Sequence, residues 1–344
     1  MKIIRSQQQM EPYSSRLFQR YFQDLKVGVF DIETMGLNPA SAEVILVGFV
    51  SVDKGGQATV TQIFAESKEE ERNLLEAMGE EMKKYDVLLT FNGKHFDLPF
   101  VMRRCQHHGL PSYGKDLFNL DLYLVLHGHS NLKSIIKSLK QKNVEQYMGL
   151  HVDRKDEISG AESITLYENY LAEQNPYTKT NLEERILLHN YDDILQLYRL
   201  LPVLKQTDFH RACSYLGFPI PKANGWPQLN IMKIRVDYTG LSIAGTYGGP
   251  GISYLSYDDG SSPYSCSFTP EGEFRFLIPA DRHKGNYFLK ISRLLEGETN
   301  LASYPGYING YLLLAEGNRT NFLEMNMFVQ QFLTEFINAN GCPI

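Results

Sequence analysis

Asp31 and Glu33 stand two residues apart in Phe30-Asp31-Ile32-Glu33-Thr34, at the end of the run Lys26-Val27-Gly28-Val29-Phe30, which reads as a buried strand. Alternate side chains of a strand share a face, so the two carboxylates point one way while Phe30 and Ile32 point the other. Neighbouring carboxylates repel unless a cation or a proton intervenes. The pair therefore marks either a place for a divalent metal or a strand end in water.

Two further acids stand in informative contexts. Phe91-Asn92-Gly93-Lys94-His95-Phe96-Asp97 carries a strand end into a helix start, which aims Asp97 at the edge of a sheet. The alternative for Asp97 is a simple helix cap, with Pro99 in the first turn. In Leu187-Leu188-His189-Asn190-Tyr191-Asp192-Asp193-Ile194, helical spacing puts Asp193 with Ile186, Leu197 and Leu200, on the flank of an apolar stripe. Asp192 points instead with Arg185, Gln196 and Arg199 and is expected at the surface. An acid beside an apolar stripe needs a partner, because burying it alone is costly. Asp193 is thus the functional candidate, and His189 lies four residues before it on the same face.

The elements that must position these residues follow from apolar periodicity. Residues 27–34, 44–52 and 58–65 read as strands, the last two joined by the tight turn Asp53-Lys54-Gly55-Gly56-Gln57 and therefore antiparallel. Ser67 and Glu69-Glu70-Glu71 open a helix with Leu74, Leu75, Met78 and Met82 on its apolar face. A strand at Val87–Phe91, a helix from about Asp97 to His107 and a short strand at Phe118–Asp121 follow. Residues 122–200 read as mostly helical, with Ser130 capping Leu132–Leu139 and a Thr180/Glu183 capping box opening a helix to about Leu204. This order predicts an α/β fold whose mixed sheet joins a three-stranded antiparallel meander to parallel strands flanked by helices.

Beyond Pro202, short strand-like runs alternate with turns such as Gly248-Gly249-Pro250-Gly251 and Asp258-Asp259-Gly260, before a last helix near Asn321–Asn338. The expected organisation is an N-terminal extension over 1–26, an α/β domain over 27–204 and a smaller β-rich α+β domain over 205–344. Tyr247, Tyr254, Tyr257 and Tyr264 could stack on single-stranded nucleic acid, although sheet packing explains them as well.

Bulk composition narrows the function classes. The 344 residues are 43% apolar with a formal net charge of −6, so no global basic field draws the chain onto nucleic acid. Any such contact must be local, and Lys133, Lys137, Lys140 and Lys142 offer a patch, with a solvated helix face as the alternative. No apolar run approaches the roughly 18–20 residues of a membrane span. The four cysteines are far apart and read as reduced and mostly buried, and the N-terminus lacks an apolar signal region; both predict a cytoplasmic protein. His95, His107 and His108 have no ligand-like spacing and read as surface residues.

Asp31-Ile32-Glu33, Asn92-x-x-x-Phe96-Asp97 and His189-x-x-x-Asp193 together resemble the three exonuclease motifs of the DEDD superfamily, on the ribonuclease H-like fold of DnaQ-like proofreading exonucleases. The closer resemblance is to the YprB-type ribonuclease H-like domain. It rests on Asn92-Gly93-x-x-Phe96-Asp97, Leu120-Asp121-Leu122, Asn131-Leu132-Lys133-Ser134, Arg154-x-Asp156-x-Ile158-Ser159-Gly160-Ala161-Glu162 and Leu166-Tyr167-x-x-Tyr170-Leu171. The match covers about residues 27–204. Tyrosine-type members carry Tyr-x-x-x-Asp in the third motif and histidine-type members His-x-x-x-x-Asp; this chain has histidine at the tyrosine-type spacing. Either His189 acts as base from a shifted position, or the site has drifted and turnover is weakened.

The resemblance implies a 3′→5′ exonuclease that cuts single-stranded DNA by a two-metal mechanism, with RNA ends or non-catalytic nucleic-acid binding as alternatives. Asp31, Glu33, Asp97 and Asp193 would hold two Mg²⁺ or Mn²⁺ ions, which hard oxygen ligands suit. His189 would act as the base, and Thr34, Asn92 and Lys94 would contact substrate; a solvated loop lysine is the alternative for Lys94. Asp121 is ambiguous between supporting the acids, replacing Asp97 and merely ending a strand.

Overall fold

The computed structural model describes residues 1–155, 158–249, 251–256, 262–295 and 299–342. Asp156, Tyr257, Pro250 and the Asp258–Gly260 turn lie outside them. The chain divides into two compact units, Met1–Thr207 and Asp208–Ile344.

The first unit is built in chain order from β1 (Lys2–Gln9), α1 (Arg16–Phe22), β2 (Val27–Thr34), β3 (Val44–Val52), β4 (Gln57–Phe64), α2 (Glu71–Met82), β5 (Val87–Thr90), α3 (Asp97–His107) and β6 (Phe118–Asp121). Helices α4 (Leu122–His129), α5 (Leu132–Ile136), α6 (Gln141–Tyr147), α7 (Gly160–Ala172) and α8 (Pro176–Arg199) complete it. Its sheet runs β1-β4-β3-β2-β5-β6. The pairs from β1 to β2 are antiparallel, and β2–β5 and β5–β6 are parallel.

Strand alternation explains the layers. Phe30 and Ile32 enter a core with Phe49, Leu75, Met78 and Val101, so α2 and α3 cover one face of the sheet. On the other face Ile45, Leu46 and Phe64 pack with Tyr167, Tyr170 and Ile186, which brings α7 and α8 over the side that carries Asp31 and Glu33.

Several local expectations change. The first 26 residues contribute edge strand β1, paired over its whole length with β4, and α1; its mostly exposed side chains left no apolar alternation to read. Helix α8 starts earlier than Thr180. Asn175 caps it by accepting from the Tyr177 and Thr178 N–H groups, Pro176 occupies the first turn, and Thr180 lies inside, its hydroxyl bonded to Pro176 O. Helix α5 stops at Ile136, because Lys137 takes a left-handed φ of 61°. His108 is no idle surface residue: its Nε2 lies 2.7 Å from buried Glu71, which also holds Arg104.

The second unit contains α9 (Phe209–Leu216), β7 (Phe218–Ile220), β8 (Leu229–Asp237), β9 (Gly240–Tyr247), β10 (Tyr254–Ser256), β11 (Ser265–Phe268) and β12 (Glu273–Ile278). After these come β13 (Asp281–His283), β14 (Asn286–Lys290), β15 (Tyr307–Ile308), β16 (Tyr311–Glu316), β17 (Arg319–Thr320) and α10 (Phe322–Ala339). One antiparallel sheet runs β10-β11-β12-β9-β8-β7, and a smaller one runs β13-β14-β16-β15 with β17 on β16. Two of the tyrosines considered for stacking are engaged in packing within the unit, Tyr247 buried and Tyr264 half-buried. Tyr247 hydrogen-bonds the backbone of Ile252 and Thr269, and Tyr264 meets Phe332 edge-on at 5.0 Å. Among the described residues, no helix is long and apolar enough to cross a membrane.

Candidate active site

Central strand β2 carries Asp31 and Glu33 to the face under α8, and α8 brings His189, Asn190 and Asp193 down onto them. Glu33, His189 and Asp193 each offer a donor atom within 4.8 Å of the others. The His189 Nε2 lies 3.5 Å from Glu33 Oε1 and 3.7 Å from Asp193 Oδ2. Histidine at i and aspartate at i+4 lie one above the other on a helix, so the four-residue spacing lets both face the strand together.

Asp97 arrives from the opposite direction. Asn92 adopts a left-handed φ of 68°, turning the chain sharply at the end of β5 before α3 begins. Asp121, at the end of neighbouring β6, accepts from the N–H groups of Asn92 (2.9 Å) and Lys94 (3.0 Å) and caps α4 through Leu124 N–H. It fixes the turn that aims Asp97. Asp97 Oδ1 then accepts from the Ile32 N–H at 3.3 Å, midway between Asp31 and Glu33.

The electrostatics reflect this convergence. Burial first, then the charges of Asp97, Asp193 and Glu33, push the Asp31 carboxyl well above the usual carboxylate range, against the pull of a hydrogen bond from Asn190. Burial lifts Asp97 to about 7, opposed by backbone N–H bonds and assisted by the charge of Asp121. Carboxylates held this close in an apolar setting favour a shared proton or a shared cation. The carboxylate oxygens are donors of the kind that Mg²⁺ and Mn²⁺ take.

Residues that sequence reasoning passed over hold the acids in place. Asn190 Nδ2 donates to Asp31 Oδ2 at 3.0 Å, and its Oδ1 accepts from Gln62 Nε2 at 3.0 Å. Gly48, opposite Asp31 on β3, makes room: a Cβ there would sit 2.2 Å from Asn190 Oδ1. A glycine inside Val47-Gly48-Phe49 was the available signal of a close approach. Arg154 bonds Glu145 through Nε and Nη2 and touches Asp193 Oδ1 at 2.5 Å, linking α6 to the site.

Asp192 departs from its expected place. It is 5% exposed and accepts from the Lys155 N–H at 2.6 Å, because the segment after α6 covers that flank of α8. Asp193 remains the acid that faces the strand. Thr34 spends its hydroxyl on Gly36 O at 2.7 Å, and the Lys94 side chain is exposed.

Beside this turn lies a groove of about 520 Å³ that shares Asn92 and is lined by Tyr123, His127, Lys133, Lys137 and Lys140. The lysine patch is therefore not one helix face. Lys142 lies apart from it, bonded to Ile158 O at 2.6 Å.

A family model of the RNase_H superfamily matches residues 29–205. A DNA polymerase of Methanocaldococcus jannaschii is 30% identical over 101 residues, which are 27% of this chain and 6% of that protein. The chain thus matches only a small part of that relative. The solved family B DNA polymerase from the hyperthermophilic archaeon Pyrobaculum calidifontis is similar at 22% identity with a TM-score of 0.39, over 52% of this chain and 24% of that one.

Proposed function

The chain belongs to the RNase H superfamily, and from that premise we propose that it is a metal-dependent nuclease, a 3′→5′ exonuclease acting on single-stranded DNA. The observation that carries the reading is the crowding of Asp97, Asp193 and Glu33 around Asp31, which raises its proton affinity so far. That arrangement makes chemical sense where a divalent cation replaces the proton. The order of the four acids along the chain favours the DnaQ-like DEDD group, and the YprB-type branch within it. The relative's name, a DNA polymerase, favours DNA over RNA.

In this reading Asp31, Glu33, Asp97 and Asp193 would hold two Mg²⁺ or Mn²⁺ ions. When bound, such ions polarise a phosphodiester and lower the pKa of bound water. His189, between Glu33 and Asp193, accepts a proton from the attacking water. Asn92 and Lys94, on the turn fixed by Asp121, meet substrate phosphates, and Thr34 contributes through the strand end it closes. Lys133, Lys137 and Lys140 supply the local positive charge that the chain as a whole lacks.

The test is incubation of end-labelled single-stranded DNA and matched RNA with Mg²⁺ or Mn²⁺, beside an Asp31→Ala control. The expected result is stepwise shortening from the 3′ end, faster on DNA. Faster shortening of RNA would make it an exoribonuclease. Binding without shortening beyond the control would leave a nucleic-acid-binding module that has lost turnover.

A further inference from the structure

The second unit carries an exposed surface that its core does not explain. In the small sheet Phe288 is paired with Asp281 and Leu313, and Lys290 with Tyr311, which also pairs with Ile308. Directly paired residues share a face. One face thus gathers Asp281, Phe288, Lys290, Tyr311 and Ile308. The other buries Leu289, Leu312 and Leu314, each at most 1% exposed. Core packing accounts for that buried face and not for its opposite, where Tyr311 is 38% and Ile308 59% exposed.

Arg282, Lys290 and Arg293 are the cations of a groove of about 670 Å³ that His283, Phe288 and Tyr311 also line, and among the described residues Asp281 is its single acid. Arg293 joins from the short 3₁₀ turn Ile291–Arg293 that follows β14. Among the described residues no ion pair neutralises Lys290 or Arg293. In a chain with a net charge of −6, three described cations gather here beside the half-exposed Tyr311. Lysine and arginine spaced along a groove match a phosphate backbone, and a half-open ring on a sheet offers a face on which a base can stack.

We propose that this face of the second unit is a binding site for single-stranded nucleic acid, with Lys290 and Arg293 on the phosphates and Tyr311 under a base. The inference takes its ligand class from the nuclease reading but stands on residues outside that site. Stacking is tolerant of sequence, so the site holds a strand without selecting one.

The experiment uses the full chain carrying Asp31→Asn, in chelator, with a fluorescent 20-nucleotide single strand followed by anisotropy over a range of salt. Lys290→Glu with Arg293→Glu should weaken binding at least tenfold and flatten the salt dependence by about one to two units of log–log slope. Tyr311→Ala, an exposed position that leaves folding intact, should weaken it about tenfold by itself. An oligonucleotide carrying 5-iodouracil should cross-link to the peptide that contains Tyr311. Unchanged affinity in both variants together with no such cross-link would overturn the proposal. So would equal affinity for inorganic polyphosphate with no effect of Tyr311→Ala, which would leave a general anion surface. Failure of the nuclease reading shows as absent cleavage by the wild type, and failure of this one as unaltered binding.

Discussion

Asn190 donates its side-chain amide to Asp31 across 3.0 Å, and the glycine at position 48 is what lets it come so near. The amide is wholly buried and held on its other side by Gln62. A neutral side chain clamps a strongly perturbed carboxyl in one orientation, and adds no charge to a place already crowded with it.

Gly48→Ala should disturb this clamp first. Its methyl group meets Asn190 Oδ1 at 2.2 Å, and Asn190 is pinned on both sides, so β3 or α8 must shift. We expect a loss of stability of about 1–3 kcal/mol and a fall in nuclease rate of about tenfold or more, since small displacements of catalytic groups are costly. Urea unfolding and a DNA-shortening assay check the two effects separately. A fully active, equally stable variant would show that the clamp does nothing.

Metal-free protein should lose stability as pH rises from about 4 to about 7. Asp97 has an ordinary value of 3.8 and is lifted to about 7 in the fold. Between those values the folded state binds more protons than the unfolded one, so raising pH favours unfolding. Asp31→Asn should raise the melting temperature in chelator at pH 7.5 by about 2–4 °C, because it removes one member of the repelling group. It should also abolish the increase that Mn²⁺ gives the wild type. Thermal melts across pH, with and without Mn²⁺, measure all three.

His189 gives a prediction about catalysis. His189→Ala should reduce kcat by about 10²–10⁴, the usual contribution of a general base. A rate within threefold of wild type would leave His189 a packing residue.

Arg154 neutralises Glu145, which is wholly buried, and reaches Asp193 as well. Removing it by Arg154→Ala should cost about 3–5 kcal/mol, since a buried carboxylate is left without a partner. Arg154→Met combined with Glu145→Met should recover most of that stability, but not the orientation of Asp193. The double variant is expected to be stable in urea titrations and slow in the cleavage assay.

Much of the α/β fold was legible because alternation and helical spacing are local. The meander, the short strand at Phe118–Asp121 and the helix from Asp97 to His107 all follow from runs of fewer than a dozen residues. Edge strand β1 was not legible, since its exposed polar side chains carry no period and its pairing with β4 is a matter of backbone. Asp192 was misplaced for a related reason. Helical geometry correctly put it on a different face from Asp193, but no helix reports which distant segment will cover that face.

The sequence by itself determined the residue types, their order and the strand and helix on which each acid rides. Those depend on side-chain chemistry and on dihedral preferences a few residues long. Only the tertiary structure decided that Asn190 would fill the space left by Gly48, that Asp121 would fix the turn before Asp97, and that Arg154 would reach Asp193. Each of these joins residues far apart in the chain, and their meeting depends on how whole layers pack. A carboxylate becomes costly to ionise, and hence suited to a cation, only when packing removes its water and brings like charges beside it.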